Sequence, residues 1–405
     1  MTTGSTDRFI DLADQFSATN YHPLPIVIER AEGVWVWDPE GRRYLDMLAA
    51  YSAVNQGHCH PRILEVLRSQ AERVTLTSRA FHNDQFGPLC QELCEVAGFE
   101  KVLLMNTGAE AVETAVKMAR KWAYEVKGVE RDQAEIIVAE GNFHGRTTTV
   151  ISFSTDEQYR EGFGPLTPGF PVVPFGDADA LEAAITPRTA AFLVEPIQGE
   201  AGIIIPPDGY LKRVRELCTQ HRVLLIADEI QSGLGRTGKL FAHEHAGIRP
   251  DALIVGKALS GGFYPVSAVL ADSEAMGVFR PGDHGSTFGG NPLGCAVARE
   301  ALAVLREENL VENSREMGAY LMERLAEVPS EVVEEIRGVG LWIAIEVKET
   351  AGSARPYCEA LKERGILAKE THEQVVRIAP PLCITPEEID WAVPLIVEVL
   401  SGKRG

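Results

Sequence analysis

Short apolar runs alternate with helical stretches along most of the chain from about residue 60. Six of these runs are rich in Val, Ile, Leu and Ala, with little alternation between apolar and polar positions. Strands with that pattern are covered by helices on both faces, so we expect a mostly parallel α/β sheet. The predicted strands are Lys101–Met105, Glu135–Ala139, Ala190–Val194, Val223–Ala227, Leu253–Val255 and Val266–Ala271.

The pattern changes on both sides of this region. Gly33–Met47 predicts a hairpin, because strand-prone Trp and Val residues precede the turn sequence Asp38-Pro39-Glu40-Gly41. After Asn291, two long helices lead to three further strands and a last helix, which predicts a smaller α+β domain. We therefore expect an N-terminal segment that packs with the small domain (1–50), a large α/β domain (51–300) and a small C-terminal domain (301–405).

Composition and charge narrow the range of functions. Of the 405 residues, 45% are hydrophobic and 24% are charged, which is typical of globular proteins and not of disordered chains. The net charge of −19 argues against a nucleic acid or an anionic membrane as partner. A local basic pocket for a small anion remains compatible with this charge.

The sequence favours a cytoplasmic protein without a metal. Seven cysteines are scattered and form no CxxC pair, which favours reduced thiols. Met1–Phe16 contains three aspartates and no apolar run, so we expect neither a signal peptide nor a transit peptide. No apolar stretch reaches about 18 residues, the length of a membrane span. His58-Cys59-His60 lacks the further donors that a metal site needs.

Ligands of open α/β sheets bind at the carboxyl ends of the strands, so the residues that follow each strand are the first candidates. After Lys101–Met105, the segment Asn106–Ala111 starts a helix with the small residues Gly108 and Ala109. The free N–H groups and the positive dipole end of such a helix suit a phosphate. A plain N-cap by Thr107 is the alternative interpretation.

Charged residues follow two other strands. Asp228 comes directly after Val223–Ala227, where a buried carboxylate needs a cationic partner. Lys257 comes after Leu253–Val255, where loss of solvent lowers the pKa of an amine and makes it nucleophilic. A helix cap or structural ion pair for Asp228, and an exposed amine for Lys257, are the simpler alternatives.

Together these features match the requirements of pyridoxal 5′-phosphate (PLP). This cofactor needs a lysine amine, an acid at its ring nitrogen and a phosphate site. Phe143, which follows the strand Glu135–Ala139, is placed to cover the cofactor ring. A nicotinamide dehydrogenase is another possibility, but its glycine fingerprint is missing after every predicted strand.

The sequence resembles the class III aminotransferases of PLP fold type I, over nearly the whole chain from about Tyr21. Asp228 and Lys257 are 29 residues apart, as in that family. The resemblance implies a PLP-dependent transaminase whose large domain has a mostly parallel seven-stranded sheet flanked by helices. The stretches that carry it are Asn106–Ala111, Phe143–Arg146, Glu195–Gly202, Leu225–Gly238, Gly256–Gly262 and Gly285–Pro292.

The resemblance implies roles for residues around the cofactor. Lys257 would bind the cofactor and move a proton between substrate and cofactor, while Asp228 would keep the ring nitrogen protonated. Ser286 and Thr287 would reach the phosphate of the neighbouring subunit, which implies a homodimer with shared sites. Phe143 would stack on the ring and Gln231 would bond its hydroxyl group. The expected cofactor-binding residues are Thr107, Gly108, Ala109, Phe143, His144, Asp228, Gln231, Lys257, Ser286 and Thr287.

The resemblance also implies the substrates. The stretches around Tyr21 and Tyr51 are most similar to those of family members that transfer the δ-amino group of L-ornithine to 2-oxoglutarate, with glutamate 5-semialdehyde and L-glutamate as products. Arg377 would bind the glutamate α-carboxylate, and Glu200 would pair with Arg377 while ornithine is bound. Tyr21 and Arg146 would hold the α-amino and α-carboxylate groups of ornithine, and Tyr51 would line the site.

Other interpretations stay open. N-acetylornithine or 4-aminobutyrate would be the amino donor of a related transaminase, and an aminomutase or a catalytically silent binding protein would keep the same fold. Arg377 has a structural strand-end ion pair as its simpler role, and Tyr21 has packing under a loop. His144 stands where some family members carry tryptophan, and we expect it to serve mainly in packing.

Overall fold

The computed structural model describes residues 5–328 and 331–402, and its strands form three sheets. In chain order they are β1 (Arg30–Glu32), β2 (Trp35–Trp37), β3 (Arg43–Asp46), β4 (Lys101–Met105), β5 (Glu135–Ala139), β6 (Val172–Val173), β7 (Thr189–Val194), β8 (Leu224–Asp228), β9 (Ala252–Val255), β10 (Ser267–Ala271), β11 (Val333–Gly338), β12 (Ile343–Val347), β13 (Ile366–Leu367), β14 (Lys369–Thr371) and β15 (Val375–Ile378).

The helices connect and cover these strands. None of those described combines the length and apolar composition needed to cross a membrane. They are α1 (Ser5–Phe16), α2 (Ala49–Ser52), α3 (Pro61–Ala71), α4 (Phe86–Ala97), α5 (Gly108–Trp122), α6 (Thr148–Ile151), α7 (Glu157–Arg160), α8 (Ala178–Ala184), α9 (Tyr210–Gln220), α10 (Ser273–Met276), α11 (Pro292–Glu307), α12 (Leu310–Leu325), α13 (Arg355–Glu363) and α14 (Pro386–Leu400).

The largest sheet has seven strands in the order β4-β10-β9-β8-β7-β5-β6. The strands from β9 to β6 pair in parallel, whereas β10 pairs antiparallel with both β9 and β4. The expected mostly parallel seven-stranded sheet is therefore confirmed. Since β4, β5, β7, β8 and β9 run in the same direction, their carboxyl ends lie at one edge.

Both faces of this sheet are buried, which explains the lack of alternation in its strands. Along β9, Ala252 and Ile254 pack in one hydrophobic cluster with residues of α5, such as Val112. Leu253 and Val255 pack in a different cluster, which contains residues of α11 and α4. Every position of the strand is therefore apolar, and the first polar residue after it is Lys257, which follows Gly256.

The N-terminal hairpin pairs with the C-terminal part of the chain. β2 and β3 are antiparallel, as expected for Gly33–Met47, and β3 pairs in parallel with β13, with Leu45 opposite Ile366. A separate antiparallel sheet has the order β11-β12-β15-β14. These pairings show that strands from the two ends of the chain form one sheet. The division into three domains stays a prediction.

Several elements, including β6, β11, β14 and α1, are not predicted by the sequence pattern. β6 and β14 have only two and three residues, too few for a periodicity to appear. β11 is rich in charged residues because its side chains are largely exposed. α1 has no buried residue, so no core constrains its sequence.

Candidate active site

A cavity of about 150 Å³ lies at the carboxyl ends of the central strands. The structure brings together seven of the expected cofactor-binding residues in its lining, from four separate segments of the chain. They are Gly108, Ala109, Phe143, His144, Asp228, Gln231 and Lys257, and the remaining lining residues are Gly145, Glu195, Ile197, Ile230 and Ser232.

Lys257 lies two residues after the end of β9, beyond Gly256, with a backbone φ of +41°. Left-handed backbone is costly for a residue other than glycine, and such strain is concentrated at functional sites. Burial lowers the pKa of the Lys257 amine, although the negative charge of Glu200 opposes the shift. The uncharged form of this amine is thus more populated than in an exposed lysine, as the sequence predicts.

Asp228 is buried at the end of β8 and is oriented by His144. Nδ1 of His144 lies 2.7 Å from Oδ2 of Asp228, and the backbone N–H of Ile230 donates to Oδ1 at 3.1 Å. Burial lowers the pKa of His144, but the hydrogen bond and the charge of Asp228 outweigh it and raise the pKa. His144 therefore does more than pack, because it fixes the carboxylate that faces the cavity.

Glu195 is a cavity residue that the sequence analysis did not single out. It follows β7 and accepts hydrogen bonds from the backbone N–H groups of Phe143, at 3.0 Å, and Gly199, at 3.1 Å. Burial raises the pKa of its carboxyl group to about 7. Its position directly after a buried strand, similar to that of Asp228 at the end of β8, is the signal that would have identified it.

The start of α5 combines a capping box with small residues. The side chain of Thr107 accepts from the N–H of Glu110, and the Glu110 side chain accepts from the N–H of Thr107. The N–H groups of Gly108 and Ala109, which have no partner within the helix, lie between these two. A Cβ atom at Gly108 would lie 3.0 Å from Cδ1 of Ile230, so space at this turn is confined.

Arg377 and Glu200 form an ion pair beside this cavity. Nη1 of Arg377 lies 3.2 Å from Oε1 of Glu200, and Gln231 contacts both side chains, at 3.2 and 3.1 Å. Burial would raise the pKa of Glu200, but the charges of Arg377 and Lys257 lower it to about 2. The Glu200 carboxylate is therefore ionised at neutral pH.

Tyr51 covers the Arg377 side chain. Its ring centroid is 5.2 Å from the guanidinium carbon, within the range of a cation–π contact. Tyr51 belongs to α2, where all four residues from Ala49 to Ser52 have φ between +47° and +69°. This left-handed turn of non-glycine residues is another strained segment at the site.

Tyr21 and Arg146 lie in a separate, outer cavity of about 590 Å³. The guanidinium of Arg146 is surrounded by three rings, with its carbon 4.4 Å from the centroid of Tyr159, 5.7 Å from Tyr21 and 5.8 Å from Phe143. Tyr159, which the sequence analysis missed, also lines a third cavity of about 220 Å³ together with Phe143 and Glu200. It thus lies between the inner and outer parts of the site.

Three expected residues do not line the inner cavity. Thr107 is exposed at the start of α5, and Thr287 is exposed in the loop before α11. Ser286 accepts a hydrogen bond from Nδ2 of Asn106 at 3.1 Å, which places its loop beside the start of α5. A contact of Ser286 or Thr287 with a neighbouring subunit stays a prediction.

Comparisons with known proteins agree with this geometry. A model of the aminotransferase class-III family matches residues 16–400. An ornithine aminotransferase from Brevibacillus brevis is 61% identical over 395 residues, which is 98% of this chain and 98% of that protein.

Solved structures give the same result. The ornithine aminotransferase from Toxoplasma gondii superposes with a TM-score of 0.97 at 48% identity, over 99% of this chain and 96% of that chain. An acetylornithine aminotransferase from Elizabethkingia anophelis has a TM-score of 0.88 at 49% identity, over 98% of this chain and 100% of that chain. These comparisons confirm the expected PLP fold type I, and the chain belongs to the class-III aminotransferase family.

Proposed function

We propose that this enzyme transfers the δ-amino group of L-ornithine to 2-oxoglutarate, with glutamate 5-semialdehyde and L-glutamate as products. The observation that carries the proposal is the ion pair between Glu200 and Arg377, because it allows one site to accept two substrates of different charge. The 61% identity to the Brevibacillus brevis ornithine aminotransferase, over nearly the full length of both chains, supports these substrates. The acetylornithine aminotransferase is 49% identical to this chain, less than the 61% of that ornithine aminotransferase, so N-acetylornithine is not favoured as donor.

The residues of the inner cavity fit PLP. A buried carboxylate is present at Asp228 and an amine at Lys257, and the buried Nε2 of His144 has no partner among the described residues. The confined turn at Gly108 and the start of α5 suit a phosphate. When bound, PLP supplies an electron sink for the negative charge that develops on the reacting substrate carbon.

The chain itself would supply the proton transfers and the fixed charges. Nζ of Lys257, whose pKa is lowered by burial, is suited to take a proton from the reacting carbon and to return one. Asp228, held by His144, supplies the negative charge for a protonated ring nitrogen. Phe143 covers one side of the same cavity and limits the entry of water.

The ion pair would act as a switch between the two half-reactions. With ornithine bound, Glu200 masks the charge of Arg377, so the δ-amino end of the substrate meets no free cation. With 2-oxoglutarate, Glu200 moves away and Arg377 binds the carboxylate next to the reacting carbon. A close ion pair in a partly dry site has an interaction energy of a few kcal/mol, about that of the contact that replaces it.

The outer cavity would bind the other end of ornithine. Arg146 has no carboxylate partner among residues 5–328 and 331–402, so its charge is available for the α-carboxylate. Tyr21, 5.7 Å away and 70% exposed, would contact the α-amino group. A homodimer with active sites at the subunit interface, and a cytoplasmic location, are further proposals from the sequence.

The first test is the absorption spectrum of the purified holoenzyme before and after addition of one amino donor. We expect the visible band of bound PLP to bleach with L-ornithine and to change much less with N-acetylornithine or 4-aminobutyrate. A band that ornithine leaves unchanged would contradict the proposed donor but not the cofactor. Purified protein without a PLP band, even after incubation with PLP, would favour a catalytically silent protein.

A further inference from the structure

We propose that Tyr159 is a positioning residue that holds Arg146 at a fixed place in the outer cavity and thereby favours amino donors with a distant carboxylate. The inference rests on the proposed function, since it assigns the ornithine α-carboxylate to Arg146. It adds a residue outside the stretches that carry the resemblance, on the short helix α7.

The contacts of Arg146 identify Tyr159 as its nearest aromatic neighbour. Its guanidinium carbon lies 4.4 Å from the Tyr159 ring centroid, against 5.7 Å from Tyr21 and 5.8 Å from Phe143. Burial raises the pKa of the Tyr159 hydroxyl, while the positive charge of Arg146 opposes the shift, which is consistent with direct contact. In the described part of the chain, no acidic side chain forms an ion pair with Arg146, so its position depends on the surrounding rings and on a side-chain hydrogen bond with Tyr159.

Tyr159 is itself held in place. Asp156 caps α7, and its side chain accepts from the backbone N–H of Gln158 at 2.9 Å. The ring of Tyr159 packs edge-on against Phe143, with centroids 5.9 Å apart. The position of Arg146 is therefore linked through Tyr159 to the aromatic residue that covers the inner cavity.

This arrangement has a consequence for donor length. A guanidinium fixed relative to Phe143 and Lys257 selects the spacing between the reacting amine and a distant carboxylate. In ornithine the carboxylate carbon is four bonds from the reacting carbon. A mobile Arg146 would still attract the carboxylate but would lose entropy on binding it.

The test is a comparison of two donors that differ only in the carboxylate. L-ornithine and 1,4-diaminobutane would each be assayed with the wild-type holoenzyme and the Tyr159→Leu, Tyr159→Phe and Arg146→Leu variants. We expect Tyr159→Leu to lower kcat/KM for ornithine about 3- to 30-fold, mainly through KM, which is the range of a cation–π contact. The diamine reaction should not change, and Tyr159→Phe, which keeps the ring, should retain most of the ornithine activity.

A double-variant cycle separates positioning from a general structural effect. If Tyr159 acts through Arg146, Tyr159→Leu should add no loss to Arg146→Leu. Arg160→Ala, an exposed position on the same helix, is the control, and bound PLP measured by absorbance checks the fold of each variant. If the leucine variant loses PLP, Tyr159→Met removes the ring with less change in side-chain length.

Equal losses with both donors, or additive losses in the double variant, would overturn the inference. A wild-type enzyme that does not react with ornithine would overturn the proposed function and the inference with it. Wild-type activity together with unchanged kinetics of Tyr159→Leu would overturn the inference alone.

Discussion

Nη1 of Arg377, on β15 of the antiparallel sheet, lies 3.2 Å from Oε1 of Glu200, which comes from the loop after β7. Arg377 is almost fully buried, and Nη2 also donates to the backbone carbonyl of Gly199 at 3.2 Å. A Cβ atom at Gly199 would lie 2.6 Å from Oε1 of Gln231, so this close approach requires glycine. The arginine is thus held on a strand, whereas Glu200 lies in a loop, and we expect the carboxylate to be the partner that moves.

Replacement of Glu200 should therefore change the two half-reactions in opposite directions. In Glu200→Ala, Arg377 is unmasked, so we expect the ornithine half-reaction to slow by about tenfold or more and the glutamate half-reaction to be faster. Single-turnover rates with each amino acid measure this ratio. Glu200→Gln, which keeps the shape without the charge, should behave similarly, and equal effects on both half-reactions would show that there is no switch.

Lys257→Ala should abolish turnover, with a loss of at least about a thousandfold, because no other amine lines the inner cavity among the described residues. The rate with L-ornithine and 2-oxoglutarate is the measurement. Lys212→Ala, an exposed lysine on α9, is the matched control and should keep full activity. Full activity of Lys257→Ala would disprove the assignment of this lysine.

Tyr21→Ile should shift the donor preference towards amines without an α-amino group. Loss of a hydrogen bond to a charged amine would reduce the preference for ornithine over 5-aminopentanoate by about tenfold. The ratio of kcat/KM values for the two donors is the measurement. An unchanged ratio would remove Tyr21 from substrate recognition and leave it as an exposed surface residue.

Glu195 should make the cofactor-free protein less stable as the pH rises. Because burial raises its folded-state pKa from 4.5 to about 7, the folded protein holds a proton that the unfolded chain has lost in this range. The stability that this group contributes is complete below pH 4.5 and is lost as the pH rises through 7. A pKa shift of this size corresponds to about 3 kcal/mol in the free energy of unfolding.

Urea unfolding of the cofactor-free protein at about pH 5 and pH 8, at one protein concentration, measures this effect. Glu195→Gln should reduce the difference between the two midpoints, because its amide does not titrate. Glu274→Gln, at an exposed position, is the control and should behave like the wild type. An equal pH dependence in wild type and Glu195→Gln would contradict the assignment.

The large sheet was predictable because burial on both faces leaves a clear signal. Lys101–Met105 and Glu135–Ala139 are observed with the predicted bounds, and β7 to β10 differ from the predicted ranges by one residue at either end. The short strand β6 and the charged strand β11 carry no such signal, since few of their side chains enter a core. The antiparallel direction of β10 depends on tertiary pairing, which no local pattern encodes.

The site was predictable where residues follow buried strands, as Asp228 and Lys257 do. Arg377 and Glu200 are 177 residues apart in the chain. Their pairing was expected from the resemblance alone, because the spacing of residues in a sequence does not show which distant side chains meet. Tyr159 was missed because an aromatic residue in a polar four-residue helix has no periodic pattern around it. Glu195, like Asp228, is an acidic residue at the end of a buried apolar run, so the sequence alone could have identified it.

Inorganic anions compete with substrate wherever an exposed guanidinium lacks a carboxylate partner, and Arg146 is such a group in the described part of the chain. The protein has a net charge of −19, so the attraction of Arg146 for the ornithine carboxylate acts over a short range and is screened by salt. Sulfate and phosphate buffers should therefore raise the apparent KM of ornithine, whereas a zwitterionic buffer of low ionic strength should not.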